Sequence, residues 1–513
     1  MSKDHAAEFR EDLKEFHEMT KKFYQKELNV AQYKKFSGGF GSYAQRGGSA
    51  SMLRLRFAGG EIPKEQLLFI AESIEKYQIS LVHFSTCQSV QLHNLTEAQV
   101  CALIEESFSH GIITRGGGGD YPRNVMCSPL SGVQKGEYFH VLPYAKEAAD
   151  YLLGFIHTVK LPRKLKVGFS NCAENTTHVT FRDLGFAATP KGTFDVYSAG
   201  GLGRNPKMGV LVASDINPSN ILYYIKAMVD TFTAYGDYEN RGKSRTRFLQ
   251  DTLGTEGYRK AYLEKLSQVL ESEEDLTIQT VIPEITKQGD GQTVKHPRVL
   301  SQKQDGLYTV FYHPIGGSPK PEFFRRLYDM ILPMEEAVLR VSPDESLYIL
   351  NLTSQEAEQV LALTEDGAQT LFETSVSCIG ASICQIGARD SQSLLRACID
   401  RVRQENLPDY VLPKIHISGC PSSCSGHQIA ALGFRGGVKQ TPEGPKPAFA
   451  VFELGCPYQG EESFATELGV MLESDIPEFL AVLGKEIASR KMTYETFIKK
   501  HHDDFLTIAG DYL

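Results

Sequence analysis

Four cysteines in the C-terminal third fall into two unequal pairs. Cys378 and Cys384, in CIGASIC, have five residues between them; Cys420 and Cys424, in GCPSSC, have three. Soft thiolates select zinc, copper(I) or iron–sulfur clusters. Structural zinc sites favour tighter pairs, C-x2–4-C. A cubane [4Fe–4S] cluster needs four thiolates converging from well-spaced loops, and GCPSSCSG is a small-residue turn able to wrap a bulky group. Spacing alone leaves three readings open: a cluster, a zinc site, or unligated thiols. Cys101 and Cys398 lie on helical patterns and read as buried apolar fillers. Cys127 and Cys172 lie in loops beside polar motifs and read as unligated.

A second constellation is basic. LPRKLKVGF places Lys164 and Lys166 two residues apart, on one face of an expected strand. The bland reading is a solvated face. Against it, the strand runs into the polar loop SNCAENTTH, a place where function can sit. Arg123 lies in GGGGDYPRNVMCSPLSG, whose glycines permit close backbone approach to a ligand. Paired cations suit an anion and raise the acidity of nearby donors, which fits proton-coupled reduction.

The chain that must position these groups is doubled. FAGGEIPKEQLLFI and VQLHNLTEAQV in the first half match PIGGSPKPEFFRRL and YILNLTSQEAEQV in the second. Gly59 pairs with Gly316 and Asn94 with Asn351, both at an offset of 257 residues. LPRKLKVGFSNCAENTTHVTFRDLGF pairs with LPKIHISGCPSSCSGHQIAALGF at an offset of about 250. Such self-similarity implies two related α/β units about a pseudo-twofold. One copy then offers thiolates where the other offers cations, and an anion held between them is a natural hypothesis.

Each copy reads as a small sheet flanked by helices. SMLRLRF alternates as a strand with Arg54 and Arg56 on one face. PKEQLLFIAESIEKY reads as an amphipathic helix with Pro63 near its start, and Thr96 is placed to cap the helix that follows. The expected organisation is a helical arm over 1–37, a first small half-domain over 38–130 (ferredoxin-like, and followed by a cofactor domain, on the family resemblance given below) and a first larger α/β domain over 131–285. A polar linker over 286–303 follows, then a second half-domain over 304–370 and a second α/β domain over 371–513 carrying the cysteines.

The bulk numbers restrict the partners. At 513 residues the chain suits about three domains. Lys and Arg number 54 against 63 Asp and Glu, a net charge of −9, which argues against nucleic acid or an anionic membrane as main partner. The charged N-terminus lacks a secretory h-region, and no run approaches the ~18 apolar residues of a membrane span. Ten cysteines are too sparse for a disulfide scaffold. The expectation is a cytoplasmic protein.

Taken together, SCIGASIC with SGCPSSC, RNVMCSPLSG, LPRKLKVGFSNCAEN and the doubling resemble the sirohaem-dependent sulfite and nitrite reductase family, along nearly the whole chain. The resemblance implies a mixed α+β, α/β, three-domain pseudo-twofold fold. It implies that Cys378, Cys384, Cys420 and Cys424 hold a [4Fe–4S] cluster, with Cys424 also bridging to the sirohaem iron. Sirohaem carries eight carboxylates, for which Arg54, Arg56, Arg241, Lys243 and Arg245 are candidate partners. Arg123, Lys164 and Lys166 match the substrate-side residues. Lys-x-Lys is the sulfite-type pattern, whereas plant-type nitrite reductases tend to place Asn at its second position. The expectation is therefore six-electron reduction of sulfite to sulfide, with electrons from an external ferredoxin or reductase subunit. The alternatives are reduction of nitrite to ammonia, a non-catalytic sirohaem-binding redox or sensor protein, and, last, a zinc scaffold. Three positions depart from the family pattern: Cys87 where an arginine is usual, Ser422 where Asn is usual, and Cys456 where Gly is common.

Overall fold

The structure is a computed structural model that describes residues 5–513. The first four residues of the expected arm lie outside the described residues.

Four sheets form two matching pairs, as the repeats require. The small sheet of the first half orders its strands Ser42–Ala44, Ser51–Arg56, Ser89–Leu95 and Val82–Ser85. Its counterpart orders Val299–Ser301, Tyr308–Tyr312, Leu347–Leu352 and Val338–Val341. The larger sheets repeat as closely. Met126–Cys127, Val167–Ser170 and Leu184–Ala188 run parallel, then Phe194–Ser198 and Val210–Ile216 turn antiparallel. Val376–Ser377, Ile415–Ser418 and Leu432–Thr441 are parallel likewise, followed by antiparallel Gly444–Glu453 and Thr466–Leu472.

The matched residues occupy matched backbone states. Gly59 and Gly316 sit at φ 63° and 66°, and Asn94 and Asn351 at 61° and 60°. These are left-handed conformations that Gly tolerates freely and Asn better than most. Two residues beyond each Asn, Thr96 and Thr353 cap helices Glu97–Ser109 and Ser354–Leu363 with complete capping boxes.

The two small sheets share one hydrophobic core, which buries Leu53, Phe84 and Leu103 with Val310, Leu339 and Val360. Each larger sheet packs its own core. The halves are also stitched at the backbone, because Glu61–Ile62 leaves the first half and pairs antiparallel with Leu339 and Arg340 of the second. Arg340 locks the seam through Glu61 Oε2 at 3.0 Å and the carbonyls of Pro129 and Ser131. Buried Gln88 ties the same seam, donating to the carbonyls of Gly59, Cys127 and Val341 and accepting from the Cys127 N–H.

Two expectations are adjusted. The polar segment over 286–303 is not linker throughout, because Val299–Ser301 joins the second small sheet as its edge strand. Lys164 and Lys166 do not lie inside a strand but just ahead of Val167–Ser170. An isolated bridge, Pro122 to Leu165, reaches that stretch, one residue out of register with the Met126–Gly168 pairing of the ladder.

Candidate active site

The halves enclose a cavity of about 1670 Å³. Although acids outnumber bases in the chain, Lys and Arg outnumber Asp and Glu on the cavity lining. Arg54, Arg56, Arg123, Lys164, Lys166, Arg241 and Arg245 all reach it, as do Cys378, Cys384, Cys420 and Cys424. Lys243, expected among the cofactor partners, is exposed and absent from the lining; its charge falls beside Asp251. The run turns there, with Ser244 Oγ bonding back to the Asn240 carbonyl, so alternate residues do not share a face.

The glycine-rich loop supplies carbonyls to three arginines. Arg54 Nη1 donates to Gly117 O at 2.6 Å; Arg123 donates to Gly117 O at 2.7 Å and Gly119 O at 2.8 Å. Arg56 reaches the carbonyls of Arg115 and Arg123. A side chain at Gly116 would sit 2.7 Å from Arg56 Nη1, so the loop can close only on glycine there. Burial, aided by Arg123, lowers the Arg56 pKa to about 9. On the strand side, fully buried Asp183 organises the cations: Arg245 Nη2 bonds both its oxygens at 3.0 Å, Thr246 Oγ1 donates to it, and the Lys166 N–H reaches it at 2.8 Å. Lys164 is held well below the ordinary lysine pKa by burial and by Arg245, Lys166 and Arg123.

The cysteine loops are pinned from the other half. Arg46 N–H donates to Ile383 O, and its guanidinium to the carbonyls of Cys384 and Gly387. Gln385 Nε2 bonds Ala44 O at 2.6 Å, and Thr86 Oγ1 bonds Cys424 O at 3.0 Å. Cys378 Sγ accepts from the Gly419 N–H. Cys424 faces the open cavity; its thiol pKa is pushed up by the enclosing protein and then by Cys378. All ten cysteines are free, and Cys398 and Cys127 are buried apolar fillers in the larger cores. Among the described residues no three Cys, His, Asp or Glu side chains converge on one ion position. A tetrahedral zinc with bonds of about 2.3 Å would need that convergence, whereas a cube spreads its thiolates around a larger volume.

The cavity also fits a polyanionic ring. Several polar atoms of lining residues have no partner among the described residues: Arg123 Nε, Arg245 Nε, His93 Nδ1 and Ser423 Oγ. Such donors are costly to bury unsatisfied and match carboxylate oxygens. Cys87, Ser422 and Cys456, the three departures from the family pattern, line the cavity too. Burial raises a thiol pKa, but Lys166, Arg182 and Arg54 outweigh it and bring Cys87 down to about 6.

Sequence reasoning missed Arg182, His178 and His416, which line the same space. The only sequence signal for Arg182 was its place next to Asp183 in TFRDLGF, after the expected loop.

Comparison with known proteins finds likenesses in sequence and in fold. Residues 118–270 match the family model described as the nitrite and sulphite reductase 4Fe-4S domain, and residues 43–107 the nitrite/sulfite reductase ferredoxin-like half domain. The ferredoxin–nitrite reductase of Synechococcus elongatus is 25% identical over 408 residues, 75% of this chain and 76% of that protein. The assimilatory ferredoxin-dependent nitrite reductase of Haloferax mediterranei is 25% identical over 501 residues, 89% and 83% of the two chains. The chloroplastic ferredoxin–nitrite reductase of Spinacia oleracea is 26% identical over 415 residues, 77% and 67%. The solved structure of the Mycobacterium tuberculosis NirA protein shares the fold, with a TM-score of 0.77 over 95% of this chain and 94% of that one at 20% identity.

Proposed function

The chain belongs to the nitrite and sulfite reductase family, with sirohaem and a [4Fe–4S] cluster as its cofactors, and on that premise we propose that it reduces nitrite to ammonium with electrons from an external ferredoxin. The reading departs from the sulfite expectation. What carries it is the company the chain keeps: relatives named as ferredoxin-dependent nitrite reductases align over three-quarters or more of its length. The balance is NO2⁻ + 8 H⁺ + 6 e⁻ → NH4⁺ + 2 H2O, so the site must bind a small anion, admit protons and accept electrons singly.

Cys378, Cys384, Cys420 and Cys424 would hold the cluster. Arg54, Arg56, Arg241 and Arg245 would meet the ring's carboxylates. When bound, these groups supply the electron path and the metal that takes the anion. The chain's own residues do the rest. Lys164 and Lys166 present Nζ ammonium groups to the anion's oxygens, and Arg123, fixed by the glycine-rich loop, adds positive potential behind them. Ammonium groups with a lowered pKa release protons more readily than free lysine.

Sulfite is the second reading, favoured by the Lys-x-Lys pair, since a dianion gains more from two ammonium groups. Steady-state kinetics of loaded enzyme with reduced ferredoxin and each anion separate the two. Higher kcat/KM for nitrite, with ammonium as product, is expected; higher kcat/KM for sulfite transfers the assignment. Full cofactor loading with turnover of neither anion ends both and leaves a non-catalytic sirohaem protein.

A further inference from the structure

We propose that Arg182 is a further oxyanion-binding residue of this site, holding the anion between its outward guanidinium edge and the Lys166 ammonium. The proposal rests on the oxyanion-reductase reading above and adds the group that sets affinity.

Each other arginine named for this site commits at least one Nη atom to the protein, and Arg56, Arg123 and Arg241 commit both. Arg123 gives both Nη atoms to Gly117 and Gly119 carbonyls; Arg54 gives Nη1 to Gly117. Arg241 is bidentate on Asp120, and Arg245 is held by Asp183. Arg182 differs. Its Nε donates to the Thr177 carbonyl at 2.8 Å, which fixes the plane of the side chain. Among the described residues neither Nη atom has a hydrogen bond or an ion pair.

The neighbouring carboxylate, Asp183, acts on Arg182 through space and makes no hydrogen bond to it, its oxygens being taken by Arg245, Thr246 and the Lys166 N–H. The backbone is anchored as well: Gly200 N–H donates to Arg182 O at 2.8 Å, directly after the tight turn Val179–Phe181. The result is a preorganised fork facing the cavity, with Lys166 and Cys87 as its electrostatic neighbours. Two parallel N–H donors fit two oxygens of one compact anion. The low pKa of the Cys87 thiol reports how positive the space is.

A carboxylate of the bound tetrapyrrole offers the same chemistry as nitrite or sulfite, so the test must tell the two sources apart. Wild type, Arg182→Lys, Arg182→Gln and Arg182→Gln combined with Cys87→Arg are purified anaerobically as holoenzyme. Tetrapyrrole content is measured first, then the dissociation constant of nitrite and of sulfite from the change in the visible spectrum. The alkylation rate of Cys87 with iodoacetamide is followed against pH.

The expected result is unchanged loading and a dissociation constant at least tenfold weaker in Arg182→Gln, equivalent to about 1.4 kcal/mol. Arg182→Lys, which keeps the charge and loses the fork, falls between. The double variant regains most of the affinity, because residue 87 borders the same space. The Cys87 alkylation midpoint moves to higher pH in Arg182→Gln, which mere loosening of the fold would not require. Wild type that binds neither anion defeats the reductase reading and this proposal together. Wild type that binds while Arg182→Gln binds equally well defeats this proposal alone. So does loss of tetrapyrrole with unchanged anion affinity in the loaded fraction, which would assign Arg182 to the cofactor.

Discussion

Asp183→Asn removes the carboxylate that positions the cationic wall. Asp183 is fully buried and receives Arg245 Nη2 on both oxygens, Thr246 Oγ1 and the Lys166 N–H. Asparagine keeps the shape but has one acceptor oxygen, and its amide N–H groups would face donors. Removing one partner of a buried ion pair costs roughly 3–5 kcal/mol, because the remaining charge is left uncompensated. At about 2–4 °C per kcal/mol for a domain of this size, the melting temperature should fall by roughly 6–20 °C. Asp251→Asn is the control. It breaks the Asp251–Lys207 contact at 3.0 Å, but that pair is exposed and is worth about 1 kcal/mol or less. Differential scanning calorimetry of the holoprotein reads both variants. Equal, small shifts would refute the argument that Asp183 is the electrostatic keystone of this wall.

Replacing any of Cys378, Cys384, Cys420 or Cys424 by Ser should abolish labile sulfide, whereas Cys398→Ala, in the apolar core, should retain it; iron and sulfide assays decide. Gln88→Leu removes the two amide hydrogens that three seam carbonyls share and the acceptor of the Cys127 N–H, about three hydrogen bonds at about 1–3 kcal/mol each, so urea should separate the halves at a markedly lower midpoint. Burial pushes the pKa of His93 and His427 down to about 3. Unfolded histidine titrates near 6.5, so the unfolded chain takes up more protons below that pH. Stability should be intact above pH 6.5 and fall by about 1.4 kcal/mol per pH unit per histidine towards pH 3. His427, whose ring nitrogens both lack partners, accounts for one share, and His427→Phe should make the slope shallower; an unchanged slope would contradict this.

What the sequence revealed was local. Gly59 and Gly316, and Asn94 and Asn351, could be matched by offset because each pair must adopt the same left-handed backbone state. The cysteine pairs stood out because thiolates are rare and their spacing is restricted. Arg54, Arg56 and Arg123 could be named, but that the glycine loop holds Arg54 and Arg123 through the Gly117 and Gly119 carbonyls, while its flanks at Arg115 and Arg123 hold Arg56, could not. Long-range pairing was hidden as well. Glu61–Ile62 reads as part of the first half, and only tertiary contact shows it completing the second half's sheet. Lys243 lies off the cavity lining for a related reason: its run turns instead of extending. Arg182 was missed because its role follows from bonds it does not make, and no residue pattern encodes an uncommitted side chain.

The most direct measurement is the visible spectrum of anaerobically isolated protein, with iron and acid-labile sulfide counted and the spectrum repeated after nitrite. The two-cofactor cavity predicts a tetrapyrrole band that shifts on adding the anion, and iron exceeding sulfide by the single atom of the haem. Colourless protein that takes up neither iron nor tetrapyrrole on reconstitution would contradict it.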